Sequence, residues 1–379
     1  MATKAAAPVV LGGCESYREP ELSASLERLL APLGGLEAFV KPGECILVKP
    51  NILAGRSAEH AVTTHPHLVA AIVRKIVNIG ARAVVGDSPG LESTEGAARR
   101  SGITAAVEEA GGKIVSFGPE TMTIDNGSGK AFKHFEVTKV LKDVDGVINL
   151  AKIKTHGQMS LTLGVKNTLG CVVGMKKAQW HFKAGTSDVF ANMLLDLHQA
   201  VAPRLTIIDG IVAMEGNGPF TGNPKHLGLL VASSDARAAD LVAAHRAGYS
   251  VEQIPTLLAA GLSLPDLNLE TLKCAPQSIA KMEPSIRVMH VGWIPFPSVR
   301  NFIRQSCTPR PDFSKEKCTG CCRCVEICPA DALAPAESCK VPDLNLTKCI
   351  RCFCCQEVCP EGAITVGSGL LRRILGRFF

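Results

Sequence analysis

Two runs of four cysteines near the C-terminus leave this chain little choice of chemistry. The first is Cys318, Cys321, Cys324 and Cys328, followed by Pro329; the second is Cys349, Cys352, Cys355 and Cys359, followed by Pro360. Each reads C-x2-C-x2-C-x3-C-P, the ligand spacing of a module that holds two 4Fe–4S clusters. The second run is the first shifted by 31 positions, and the match extends past the thiols: Glu326 maps onto Glu357, Ile327 onto Val358, Ala332 onto Ala363 and Leu333 onto Ile364. Two copies of one small unit are expected, related by a pseudo-twofold axis.

Three cysteines in a tight loop wrap one cube, and the fourth, held before a proline, serves the other. The spacing therefore assigns Cys318, Cys321, Cys324 and Cys359 to cluster I, and Cys349, Cys352, Cys355 and Cys328 to cluster II. Zinc is the alternative for C-x2-C pairs, but two zinc sites need neither the C-P ending nor the duplication. Cys322, Cys339 and Cys354 fall outside the spacing and read as small buried hydrophobes.

The chain has 379 residues, of which 46% are hydrophobic and only 4% aromatic, and a formal charge of +6. Two or three domains are expected from that length. No dense Lys/Arg run with interleaved aromatics occurs, so nucleic acid is not an expected partner. Half of the 16 cysteines are accounted for by metal spacing, which argues against disulfides. The N-terminal MATKAAAPVV has no long apolar run and no twin arginine, and no stretch reaches the length of a membrane span. A reducing, low-oxygen cytoplasm is the expected location.

Residues 8–290 read as one α/β unit, a mostly parallel sheet with helices on both faces. Short apolar strands are expected at Cys45–Val48, Ala83–Val85, Ile114–Phe117, Val147–Leu150, Leu205–Ile208 and Leu227–Ala232. Helices alternate with them: about Leu22–Leu33, Pro66–Ile79, Ile103–Ala110, Val189–Ala200 and Ala236–Ala247. Residues 291–311 form a Pro- and Arg-rich linker, 312–367 a small α+β ferredoxin-like module with the two clusters, and 368–379 a basic amphipathic tail. Such a tail lies on an anionic membrane surface or docks on protein, and its shortness favours docking.

In open parallel sheets ligands bind beyond the carboxyl ends of the strands. The residues that follow the expected strands are Lys49 and Asn51, then Asp87 in the 86–90 loop, then Lys152, Lys154 and His156, then Asp209 and Glu215. The stretch from 151 to 185 is densest, with Lys166, Asn167, Lys176, Lys177, His181 and Lys183 among Gly164, Gly170 and Gly174. Glycines let backbone amides approach a ligand, and lysines match anionic groups. The orders that mark a P-loop or a dinucleotide fingerprint are absent. His156, Lys154 and Asp87 are the candidate catalytic groups, His156 as a proton donor. Lys49, Asn51, Lys166, Asn167, Gly170, Asp209 and Glu215 are the candidate ligand-binding groups. The glycine-rich segment from Asp209 to Gly222 is expected to be a loop over the same edge, serving as a lid.

KPN at 49–51, GDSPG at 86–90, KTHGQMSLTLGVKNTLG at 154–170, DGIVAMEGNGP at 209–219 and SSDARAAD at 233–240 resemble the bacterial and archaeal domain of unknown function 362 family. The resemblance spans nearly all of residues 8–290. It implies a cytoplasmic iron–sulfur protein, commonly of anaerobes, often with a two-cluster ferredoxin module at the C-terminus. It supplies no substrate and no catalytic residue.

These observations point to an iron–sulfur oxidoreductase, with electrons relayed between a partner protein or low-potential donor and an anionic small molecule or cofactor on the α/β unit. Two other readings stay open: a non-enzymatic electron-transfer subunit docking to a partner enzyme, and an electron donor in cofactor or metal-centre assembly.

Overall fold

The computed structural model describes residues 7–278, 281–284, 309–336 and 340–367. Most of the expected linker and all of the expected tail lie outside these residues, as does Cys339.

The large unit is built on strands β1 (Pro8–Gly13), β2 (Cys45–Pro50), β3 (Arg82–Val85), β4 (Lys113–Ile114), β5 (Thr121–Asp125), β6 (His134–Thr138), β7 (Gly146–His156), β8 (Ser160–Thr162), β9 (Leu205–Glu215), β10 (Asn223–Ser233) and β11 (Asn268–Thr271). Nine of them form one sheet in the order β11-β1-β10-β9-β7-β2-β3-β4, with β8 added to β7; β5 and β6 pair separately. The run β9-β7-β2-β3-β4 is parallel throughout. β10 is antiparallel to both β9 and β1.

Alternation along the strands sorts the core onto two faces. Ile46 and Val48 of β2 pack with Leu26 and Leu29 of helix Glu21–Leu30 and with Leu68, Ile72 and Ile76 of helix Pro66–Asn78. Leu47, between them, faces the other side, where Phe190, Leu194 and Leu197 of helix Ser187–Val201 cover it. Helix Ala236–Arg246 covers β9 and β10 through Leu241 and Val242. Pro at the start of helix Pro66–Asn78 and the left-handed Gly80 just past it match the expected punctuation.

Two strands run further than the sequence suggested. β7 continues through Lys152 and Lys154 to His156, and β9 continues to Glu215. The lysines resemble a strand terminus in sequence, but each is buried against a partner, Lys152 against Asp209 of β9 and Lys154 against Asn51 just past β2. The expected lid over Asp209–Gly222 is therefore corrected: through Glu215 it is the inner arm of a hairpin, paired with β10 from Asn223 onward.

The C-terminal module repeats itself in space as in sequence. Strand Arg310–Phe313 pairs antiparallel with Ile364–Gly367, and Leu333–Ala334 with Asp343–Leu344. Helices Arg323–Glu326 and Cys354–Glu357 occupy equivalent positions, each preceded by a left-handed residue, Cys322 (φ 57°) and Phe353 (φ 61°). Among the described residues, no helix is long and apolar enough to cross a membrane.

Candidate functional site

The ends of β2 and β3 are tied by a fully buried ion pair, Lys49 Nζ to Asp87 Oδ1 at 2.8 Å. Asp87 Oδ2 also accepts the Ile52 amide at 2.5 Å, and Lys49 donates to the Pro50 carbonyl at 3.0 Å. Gly170 makes room for the pair, since a Cβ there would stand 1.9 Å from Asp87 Oδ1. An unpaired charge at such depth would be costly, so this pair holds the strand ends together.

β7 carries a row of buried polar groups on its other face. Lys152 donates to Asp209 at 2.9 Å and to the Tyr17 hydroxyl at 2.9 Å, while Tyr17 donates to the second Asp209 oxygen at 2.6 Å. Burial, then Asp209, raises the Tyr17 phenol well above its ordinary range. Lys154 donates to Asn51 Oδ1 and to the Val62 carbonyl, both at 2.7 Å. Burial, reinforced by the charge of Lys166, pushes the Lys154 ammonium down to about 7.

His156 ends the row against the C-terminal module. Its Nδ1 accepts the amides of Gln158 and Met159 at 3.0 and 3.1 Å, which places the proton of the neutral ring on Nε2. That nitrogen lies 2.6 Å from Glu357 Oε1, off the N–H axis. Burial, then Lys166, pushes the imidazole down to about 4. Burial opposes the charge of Glu357, but Lys166, His156 and His181 together outweigh it and hold the carboxyl well below the usual carboxylate range.

Other contacts complete this seam. Arg56 donates to the Pro360 carbonyl at 2.7 Å, Asn217 to the Ile364 carbonyl at 3.1 Å, and Gln356 to Asn217. Gly157 permits the approach: a Cβ there would lie 2.7 Å from Gln356 Oε1 and 2.8 Å from the Phe353 ring.

A cavity of about 300 Å³ opens at the seam, walled from both sides. The α/β unit supplies Asn51, Asp87, Ser88, Lys166, Asn167, Lys177 and His181, and the C-terminal module supplies Arg323, Glu326, Cys354 and Glu357. Lys177 donates to the Ser88 and Pro89 carbonyls, and burial pushes its ammonium down to about 8. His181 is held by Gln158 at 2.7 Å and stacks on Phe190, and burial pushes it down to about 3. Lys166 has no hydrogen bond or ion pair among the described residues.

Two further cavities lie inside the C-terminal module. Cys318, Cys321, Cys324 and Cys359 line one, and Cys328, Cys349, Cys352 and Cys355 line the other. Among the described residues no three His, Cys, Asp or Glu side chains gather where a single metal ion would sit. Four thiols spread around a volume suit a cube, whereas tetrahedral zinc needs every sulfur about 2.3 Å from one ion. Cys354 borders both the second of these cavities and the 300 Å³ cavity, so it stands in the wall between them.

Of the residues singled out in the sequence, Asn51, Asp87, Lys166, Asn167 and Gly170 border the seam cavity. Lys49, Lys154 and His156 lie behind its wall, each engaged as described. Asp209 is buried beside Tyr17 and Lys152, and Glu215 pairs with Lys225 at 2.7 Å, so neither borders the cavity. Lys177 and His181, named within the 151–185 stretch, border the cavity too; Ser88, Arg323, Glu326, Cys354 and Glu357 were not named as site residues. The equivalence of Glu326 and Glu357 in the repeat was the available signal, since both border the cavity.

The family model described as a domain of unknown function, DUF362, matches residues 46–245, and that of the 4Fe-4S binding domain matches residues 311–334. The second match supports an iron–sulfur electron-transfer role with at least one cluster. A thylakoid-associated protein of Synechocystis sp. is 42% identical over 246 residues, 65% of this chain and 76% of that relative. Among solved structures, the lactate racemase apoprotein of Thermoanaerobacterium thermosaccharolyticum is 11% identical with a TM-score of 0.38, covering 62% of this chain and 55% of that one. A Thermotoga maritima protein is 12% identical with a TM-score of 0.36, covering 59% and 57%. The chain thus spans little more than half the length of either structure, and neither likeness bears on function.

Proposed function

The chain belongs to the DUF362 family, and we propose that it is an iron–sulfur reductase of an anionic small molecule seated in the seam cavity. Two clusters, one in each cysteine-lined cavity, would supply single electrons. The observation that carries this reading is that one cavity is walled jointly by Lys166 and Lys177 of the α/β unit and by Cys354 and Glu357, which stand among the cysteines of the second set.

The chain's own groups divide the work. Lys166, whose side chain makes no hydrogen bond or ion pair among the described residues and whose charge acts on Glu357, anchors the anion. Lys177 borders the cavity with an ammonium pushed down to about 8 by burial, close enough to neutrality to release a proton to a reduced ligand. His156 is shut away from the cavity and positions Glu357 instead. Cys321 is exposed, which gives the first set of cysteines access to a donor protein.

The test is anaerobic reoxidation. Dithionite-reduced protein is mixed with candidate anions and with fractions of native extract, and the cluster absorbance is followed. Recovery in one fraction, lost in Lys166→Met with iron content unchanged, supports the proposal. If no fraction reoxidises the protein faster than buffer does, the reading fails. The thylakoid association of the Synechocystis relative is a reason to include membrane fractions.

A further inference from the structure

The wall that the C-terminal module gives to the seam cavity has a symmetry of its own. Its residues are Arg323, Glu326, Ile327, Cys354, Glu357 and Val358. Shifting the first three by 31 positions produces the last three. They come from the two equivalent short helices, Arg323–Glu326 and Cys354–Glu357, and from the residue just after each. Ile327 and Val358 meet in one apolar cluster with Ala178, the neighbour of Lys177 in sequence. A continuous wall made of equivalent pairs is carried onto itself by the pseudo-twofold operation, so the axis of the module passes through it.

The same relation holds behind the wall. Arg323 borders both the seam cavity and the cavity of the first cysteine set. Cys354, its equivalent, borders both the seam cavity and that of the second set. Each set is one side chain away from the ligand space, and neither stands behind the other.

We infer that both cysteine sets serve the cavity side by side, and that its ligand is a two-electron acceptor, taking one electron through the Arg323 half of the wall and one through the Cys354 half. This rests on the reading of the cavity as the site of a reductase with two clusters, and it sets delivery in parallel against a relay in series. One π bond of the ligand gives way to two bonds to hydrogen. One proton comes from Lys177 and the other from water on the side of the exposed Arg323 and Glu326. Each cluster, reduced beforehand by a low-potential one-electron carrier, gives up a single electron. No half-reduced ligand has to wait for a second carrier to dock.

The placement is tested without any ligand. Removing a cation close to the axis lowers the midpoint potentials of both clusters together, because each loses the same favourable field. Full-length, cluster-loaded Lys177→Met and the parent protein are titrated anaerobically with redox mediators at about pH 7, where the Lys177 ammonium, pushed down only to about 8, is charged. Electron paramagnetic resonance follows the two signals, assigned with Cys359→Ser and Cys328→Ser, each of which keeps a different cluster. Both potentials should fall, by amounts within about threefold of each other. If Lys177→Met does not load iron, Lys166→Met takes its place. A shift confined to one cluster, or no shift in either, would overturn the inference.

Reoxidation then tests the two routes. With an extract fraction that reoxidises the parent, the clusters kept in Cys359→Ser and in Cys328→Ser should lose their electrons at rates within about threefold of each other. A drop of about tenfold or more in one variant alone would mean a relay in series and would equally overturn it. If no fraction reoxidises the parent, it is the reductase reading that fails, and shared shifts in potential would still set both cysteine sets at the cavity.

Discussion

His156 Nε2 and Glu357 Oε1 stand 2.6 Å apart. One residue ends a strand rooted in the middle of the nine-stranded sheet, and the other lies between Cys355 and Cys359. Their meeting fixes where the redox module sits on the α/β unit, and the cavity is the space left beside it.

Gly157, next to His156, makes that approach sterically allowed. Gly157→Val should force Phe353 and Gln356 away, at a cost of about 1–3 kcal/mol. The expected signature is a lower melting temperature and faster amide exchange over residues 353–357, with iron content retained. Unchanged exchange there would mean that the seam is not close-packed at this glycine.

The cysteine assignment predicts a specific pattern of iron loss. Anaerobically purified protein should carry about eight irons per chain. Cys359→Ser and Cys328→Ser should each remove about four, with electron paramagnetic resonance reporting loss of a different cluster in each case. Cys322→Ala and Cys354→Ala should keep the full complement. Iron loss in Cys354→Ala would reassign that thiol as a ligand.

The Lys49–Asp87 pair predicts an asymmetry. Asp87→Asn strands a buried ammonium and should cost about 3–5 kcal/mol in urea unfolding. Replacing both residues together, as Lys49→Met with Asp87→Leu, should recover much of that loss. A double variant no better than the single would show that the charges themselves, beyond their mutual neutralisation, are needed.

Asp240 makes stability depend on pH. It accepts the Gly164 and Val165 amides at 2.6 and 3.0 Å, yet burial pushes its carboxyl up to about 8. In the unfolded chain the same group titrates near ~3.9. The folded protein therefore keeps a proton that the unfolded chain has released. This contribution is whole below about pH 4 and is lost as pH rises, with a slope of about 1.4 kcal/mol per unit, until the folded group itself ionises. Asp240→Asn should flatten that part of the profile when unfolding is measured between about pH 5 and pH 8. An identical slope in both proteins would contradict it.

The cysteine ligands and the β/α alternation were legible because each is a local pattern: thiol spacing is dictated by cluster geometry, and strand and helix periods by the backbone. The fate of the polar residues was not. Lys49, Lys152 and Lys154 look like strand-end lysines open to solvent, but their partners, Asp87, Asp209 and Asn51, come from other strands or the loops just past them, which only the folded sheet brings near. Lys177 and His181 lay in the glycine- and lysine-rich stretch, but nothing in the sequence distinguishes a wall residue from its exposed neighbours Phe182 and Lys183. Glu357 repeats Glu326 at 31 positions, but the repeat does not say which of its faces docks on the α/β unit.

Both walls of the cavity belong to one chain, so their meeting is an intramolecular event. A tether of this kind sets an effective concentration on the order of millimolar. A seam of a few bonds, Arg56 to Pro360 and Asn217 to Gln356 and Ile364, then suffices to hold the cavity together. Any opening of that seam would then exchange the cavity's contents without either half being lost to solution.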